Sequence, residues 1–127
     1  MLAKQLIYKE VAMHHSIKST PSPNKVWFVS RHQASLKWIK SEGIMIDHAI
    51  SHLTSDTPIK AGDIVIGSLP VNKIAQLNQQ GVRFISLELD MKPQHRGVEL
   101  TEQQLPLLNA RLQEYLVLRV DPTANSN

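Results

Sequence analysis

Three short stretches of the chain concentrate side chains that bind phosphate or move protons. The first is Ser30-Arg31-His32, a hydroxyl, a guanidinium and an imidazole in succession. At a strand-to-helix turn, the free N–H groups of the helix start, a bidentate Arg fork and a Ser hydroxyl together suit a phosphate. An imidazole there can transfer protons near neutral pH. The same residues also fit a plainer role, an N-cap serine beside a solvated Arg and His. The second stretch is Gly67-Ser68-Leu69-Pro70. Glycine lets backbone approach a ligand closely, Ser68 can cap a helix and Pro70 can begin one, although ordinary turn chemistry explains all four. The third is Asp90 to Glu99, DMKPQHRGVE, where Lys92, His95 and Arg96 gather before Gly97. Arg96 and Glu99 there either serve a ligand or pair with each other in a solvated loop.

Other chemistries lack their signatures. The chain has no cysteine, which excludes disulfide scaffolds, thiolate metal sites and Cys nucleophiles. The GxxxxGK[ST] phosphate loop is absent. His48 and His52 form an HxxxH pair with no Glu inside it, so the zincin pattern fails. On a strand they would lie roughly 13 Å apart at ~3.3 Å per residue, too far to share an ion. Packing or hydrogen bonding is the expected role of both, and no metal or other cofactor is expected. The carboxylates give no clear acid/base pair. The net charge of +3 and pI near 9.3 favour anionic partners mildly. A dense Lys/Arg stripe is missing and aromatics make up only 5% of residues, which argues against a long nucleic acid. A small phosphate-bearing ligand needs only two or three well-placed cations.

The elements that must position these groups follow from apolar patterning. At 127 residues and 42% hydrophobic, the chain suits one domain with a mainly aliphatic core. Residues 25–120 read as an α/β domain. Residues 1–24 read as an extension, weakly ordered or docked, whose LIYKEVAMHH is broken by STPSPN; 121–127 read as a fraying tail. No apolar run approaches the ~18–20 residues of a membrane span, and no secretory signal is evident, so a cytoplasmic protein is expected. VWFV (Val26 to Val29) and IVI (Ile64 to Ile66) are continuous apolar runs of strand length, the mark of strands covered on both faces. Met45 to Ser51 and Val82 to Leu89 read as two further strands. Gln33 to Glu42 and Val71 to Gln80 read as helices stopped by Gly43 and Gly81. A last helix is expected from Thr101, with Gln104 completing a capping box and Leu105, Leu108, Leu112, Tyr115 and Leu116 as its apolar stripe. The order β–α–β–β–α–β–α implies a Rossmann-like, mainly parallel sheet with helices on both faces. Ligands of such sheets sit outside the carboxyl ends of the strands, where all three polar stretches fall.

FVSRH, a Trp near the end of the first helix, DHAISHL, GDIVIGSLP and RGVEL, in that order, carry a resemblance. From about Val26 through Tyr115 the chain resembles the small single-domain CRISPR-associated Csx family of type III systems. The resemblance implies a CARF-related Rossmann-like domain that recognises cyclic oligoadenylate, with the tetra-adenylate ring favoured. It also implies a ring nuclease that cuts this second messenger and switches off the antiviral response. The implicated positions are Ser30, Arg31 and His32, then Gly67, Ser68, Leu69 and Pro70, and finally Arg96 with Glu99.

Roles follow from the chemistry of such a cleavage. A ribose 2′-OH attacks its own 3′-phosphate in line, so the protein need only position it, stabilise charge and move protons. Arg31 and Arg96 are expected to stabilise the phosphorane-like charge, His32 to transfer a proton, and Ser30 and Ser68 to orient phosphate or ribose. The two-fold symmetry of a tetra-adenylate ring predicts a C₂ homodimer with the ligand on its axis. Alternatives are a sponge or sensor that holds the ring uncut, an interaction protein with solvated loops, and a general RNA binder.

Overall fold

The computed structural model describes residues 24–122. The extension read over 1–24, apart from Asn24, and positions 123–127 of the tail lie outside the described residues. Both continuous apolar runs form fully buried strands, β1 (Val26–Val29) and β3 (Ile64–Gly67). The helices between the strands are α1 (Gln33–Ser41) and α2 (Val71–Gln79). The remaining strands are β2 (His48–Ile50), β4 (Arg83–Glu88) and β5 (Arg111–Tyr115), with a short α3 (Gln104–Leu107) before the last.

The five strands form one sheet in the order β2-β1-β3-β4-β5. The first four run parallel, and β5 is antiparallel to β4. This is the Rossmann-like α/β arrangement that the patterning predicts. Side-chain alternation on each strand divides the core into two layers. Val26, Phe28, Ile64 and Ile66 pack with Trp38 and Ile39 of α1 and with Leu105 of α3. Trp27, Val29, Val65 and Phe84 pack with Leu77 of α2 on the other face.

Helix ends follow their residues. Gly81 adopts φ +84, the left-handed conformation that costs glycine little. This lets the Val82 N–H reach the Leu77 carbonyl at 2.9 Å and the Gly81 N–H reach the Asn78 carbonyl at 3.1 Å, closing α2 in a Schellman motif.

At the amino end of the sheet, the buried Asp63 carboxylate accepts three hydrogen bonds. Trp27 Nε1–H donates at 3.0 Å, the Lys25 N–H at 3.1 Å and the Lys60 N–H at 3.0 Å. Beside it, the Asp47 carboxylate accepts the Val26 N–H at 2.8 Å. These bonds join the starts of β1, β2 and β3.

Three expectations need correction. The helix expected from Thr101 through Leu116 stops after Leu107, and residues 111–115 form the edge strand β5. Asn109 takes φ 56, and the Ala110 and Asn109 N–H groups bond the Leu105 and Pro106 carbonyls, another Schellman closure. Leu105 and Leu108 are buried as the stripe predicts, whereas Tyr115 and Leu116 are exposed. Of the expected capping box only the Gln104 half forms, its Oε1 accepting the Thr101 N–H at 2.7 Å. The strand expected over Met45 to Ser51 is paired only from His48 to Ile50.

Candidate functional site

The sheet order places a crevice between β1 and β3. The chain leaves β1 through α1 toward β2, and leaves β3 through α2 toward β4, on the other side of the sheet. Neighbouring strands whose connections diverge leave a gap at their carboxyl ends, the usual ligand position in open α/β sheets. Register keeps the turns level, because Val29 pairs with both Gly67 and Ile50. A cavity of about 530 Å³ opens there, walled by the turns after β1, β2 and β3 and by apolar side chains of β4 and the loop beyond it.

Ser30, Arg31 and His32 all line this cavity, as do Gly67, Ser68, Leu69 and Pro70. Arg31 and His32 are exposed. The Ser30 hydroxyl accepts the His32 N–H at 3.0 Å, closing the turn rather than capping α1. The N-cap of α1 is His32 itself, with no side-chain cap bond. Ser68 does not cap α2 either. Its hydroxyl donates to the Leu87 carbonyl at 3.3 Å, and Pro70 occupies the N-cap position. Gly67 is required by close approach, since a Cβ there would overlap the Val29 carbonyl oxygen.

Arg96 and Glu99 are not part of this wall. The loop after β4 contributes Met91, Val98 and Leu100 to the cavity instead. Among the described residues no ion pair joins Arg96 to Glu99, so the local pairing alternative is not formed either. The loop is fixed at its base. Asn109 and Arg111 donate to the Asp90 carboxylate at 3.2 and 2.9 Å, and these bonds lower its pKa. Farther along, the Lys92 N–H donates to His95 Nδ1 at 3.3 Å. The turns carrying Arg31 and Ser68 thus share one cavity, whereas the loop carrying Arg96 reaches it only through apolar side chains.

Four polar side chains of the wall are not singled out from sequence as ligand-binding: the buried Ser35, and Ser51, His52 and Lys73. The strand-end rule that selects Ser30 also selects Ser51-His52, because β2 ends at Ile50. His52 Nδ1 lies 2.9 Å from Ser51 Oγ. His48 instead stacks on Trp27, with ring centroids 4.3 Å apart. Lys73 lies in the first turn of α2 and also lines a second, more polar groove of about 640 Å³ between the 53–59 loop and that helix.

Among the described residues, the titratable and charged side chains of the main cavity are thus Arg31, His32, His52 and Lys73, and no carboxylate lines it. Such a wall attracts an anion, offers hydroxyls at Ser30, Ser35, Ser51 and Ser68, and carries two imidazoles for proton transfer. Among the described residues no group of three or more His, Asp or Glu side chains is placed to hold a metal ion. No helix there is long and apolar enough to cross a membrane.

No match was found among curated proteins or among solved structures. A family model described as "Putative CRISPR-associated protein (Cas_VVA1548)" matches residues 27–118. That span holds all five strands but for the first residue of β1, together with the whole cavity wall. The chain belongs to this CRISPR-associated family.

Proposed function

We propose that the domain is a CARF-related receptor of type III CRISPR systems that binds cyclic oligoadenylate, cyclic tetra-adenylate above all. In this proposal it opens the ring by metal-independent attack of a ribose 2′-OH, ending the signal. The observation that carries this reading is the charge of the strand-end cavity, where Arg31, His32, His52 and Lys73 stand without a carboxylate among the described residues. A phosphodiester ring is polyanionic, and its nucleophile is internal. What it requires of a protein is charge stabilisation, orientation and proton transfer.

Arg31 and Lys73 neutralise phosphate charge, Arg31 through its bidentate fork. Ser30 and Ser68 orient phosphate or ribose, and His32 exchanges a proton with the 2′-OH or the leaving 5′-oxygen. The apolar floor beneath them accommodates the adenine face. Two copies about a two-fold axis present the same turns to opposite sides of the ring.

The test is incubation of excess protein with cyclic tri-, tetra- and hexa-adenylate in chelator, with products resolved by chromatography. Linear product ending in a 2′,3′-cyclic phosphate is expected, and His32→Ala should slow its formation ~10²–10⁴-fold while sparing binding. A ring retained but uncut would make the domain a sponge or sensor. A ring neither held nor cut overturns the proposal. Sedimentation with ligand should show a dimer.

A further inference from the structure

We infer that His52 is the second proton-transfer group of this cavity, acting with His32 in one ring-opening step. This rests on the ring-cleaving reading above. Two adjacent parallel strands deliver the two histidines. Val29 and Ile50 are register partners, and the Ser30 N–H donates to the Ile50 carbonyl at 3.0 Å, so the two turns leave the sheet side by side. His32 lies three residues beyond Val29 and His52 two beyond Ile50, and both line the same cavity.

Neither ring is committed to building the fold. His32 stands at the N-cap of α1 without a side-chain cap bond. His52 is exposed and bonded through Nδ1 to the neighbouring Ser51 hydroxyl at 2.9 Å. That bond orients the imidazole and leaves Nε2 as the nitrogen that exchanges protons with a ligand. The other charged groups on the wall, Arg31 and Lys73, are cations suited to the phosphate, and among the described residues no carboxylate competes for the acid or base role.

The chemistry calls for two such groups. One imidazole, unprotonated, takes the proton from the 2′-OH as O2′ bonds to phosphorus. The P–O5′ bond breaks, and O5′ takes a proton from the other histidine, which enters as imidazolium. The products are a 2′,3′-cyclic phosphate and a 5′-hydroxyl, with the two rings left in exchanged protonation states that solvent restores.

The experiment is single-turnover cleavage of cyclic tetra-adenylate from about pH 5 to 9 by the unmodified protein and by His32→Ala, His52→Ala, His52→Gln and the double alanine variant. The unmodified protein should give a bell-shaped profile. Each single alanine variant should lose ~10²–10⁴-fold in rate and one limb of the bell, a different limb in each. The double variant should be little slower than the slower single variant, because the pair acts as a unit. His52→Gln should match His52→Ala in rate while keeping the circular dichroism spectrum and ring affinity of the unmodified protein, which separates lost chemistry from lost folding. If His52→Ala cleaves at full rate with both limbs intact, the role of His52 is overturned and the ring-cleaving proposal stands. If the unmodified protein leaves the ring intact, the cleavage proposal itself falls.

Discussion

Replacing Asp63 with alanine removes the one carboxylate that ties Lys25, Trp27 and Lys60 together at the amino end of the sheet. Hydrogen bonds to a charged acceptor contribute about 1.5–3 kcal/mol each, and a buried donor left without a partner costs about 1–3 kcal/mol. The Trp27 indole N–H is the buried donor, while the Lys25 and Lys60 amides are only partly buried and regain some bonding from water. A net loss of about 3–5 kcal/mol follows, a large part of the ~5–15 kcal/mol that holds a domain together. The melting temperature should fall by roughly 10–20 °C. Trp27 and Trp38 are the two tryptophans of the chain, so urea and thermal melts can be read by fluorescence. Asp63→Asn should lose less than Asp63→Ala, since it keeps a carbonyl acceptor while turning an NH₂ toward one donor. In a double-mutant cycle with Trp27→Phe, the pair should couple by about 1–3 kcal/mol. Ring affinity, measured where each variant is folded, should not change, because Asp63 and the cavity lie at opposite ends of β3. A loss for Asp63→Ala below ~1 kcal/mol, close to that of an ordinary surface substitution, would refute the reasoning.

Arg31→Ala should weaken binding of cyclic tetra-adenylate ~10–100-fold in calorimetric titration, the loss of one charge-assisted contact, while Arg96→Ala should change it by less than about threefold. Equal losses would mean that the loop after β4 folds over the ligand. Gly67→Ala should cost about 2 kcal/mol or more, because the Val29 carbonyl must move away from the new Cβ. An unchanged melting temperature would show that β1 and β3 yield there at no cost. Asp90 has a pKa lowered in the folded protein by Asn109 and then Arg111, so its carboxylate stabilises the fold above the ordinary carboxylate range. That contribution is lost as pH falls through the lowered value. The stability gap between the unmodified protein and Asp90→Asn should therefore stay constant near neutral pH and narrow as pH falls below the ordinary value of 3.8, and a gap that does not narrow there would contradict the assignment.

The central strands were legible because burial on both faces leaves no room for polar residues. VWFV and IVI carry that signature, and Gly81 closes α2 where glycine was expected. The end of the chain misled because Leu105, Leu108 and Leu112 keep helical spacing across a helix end. Asn109 was the available signal, a residue that tolerates left-handed backbone, and the alternation from Arg111 to Tyr115 fits a strand as well as a helix. In the site, the turns after β1 and β3 could be read from the strand-end rule alone. His52 reads from sequence as one half of an HxxxH pair with His48, because pairing with β1, which ends β2 at Ile50 and parts the two histidines into strand and turn, is not visible in the pattern. Arg96 was selected for its charge, but the path of its loop depends on tertiary contacts such as Asp90 with Arg111.

The distribution of charge says more about function than its total. The chain has 11 acidic residues against 14 Lys and Arg, enough to balance nearly every cation. At the edge of the sheet they do so: Arg83 pairs with Glu114, and Arg111 with Asp90 and Glu88. The crevice is built differently, since among the described residues Arg31 and Lys73 share it with two imidazoles and no carboxylate. Like charges gathered around a concave wall repel one another and favour neither folding nor rigidity. The carboxylates that join the starts of β1, β2 and β3, Asp63 and Asp47, lie at the opposite end of the sheet. A parallel sheet makes that separation possible, as every strand begins on one side and every turn into a helix or loop opens on the other. An anion that bridges the turns after β1 and β3 would balance the crevice, which is the role the proposed ligand fills.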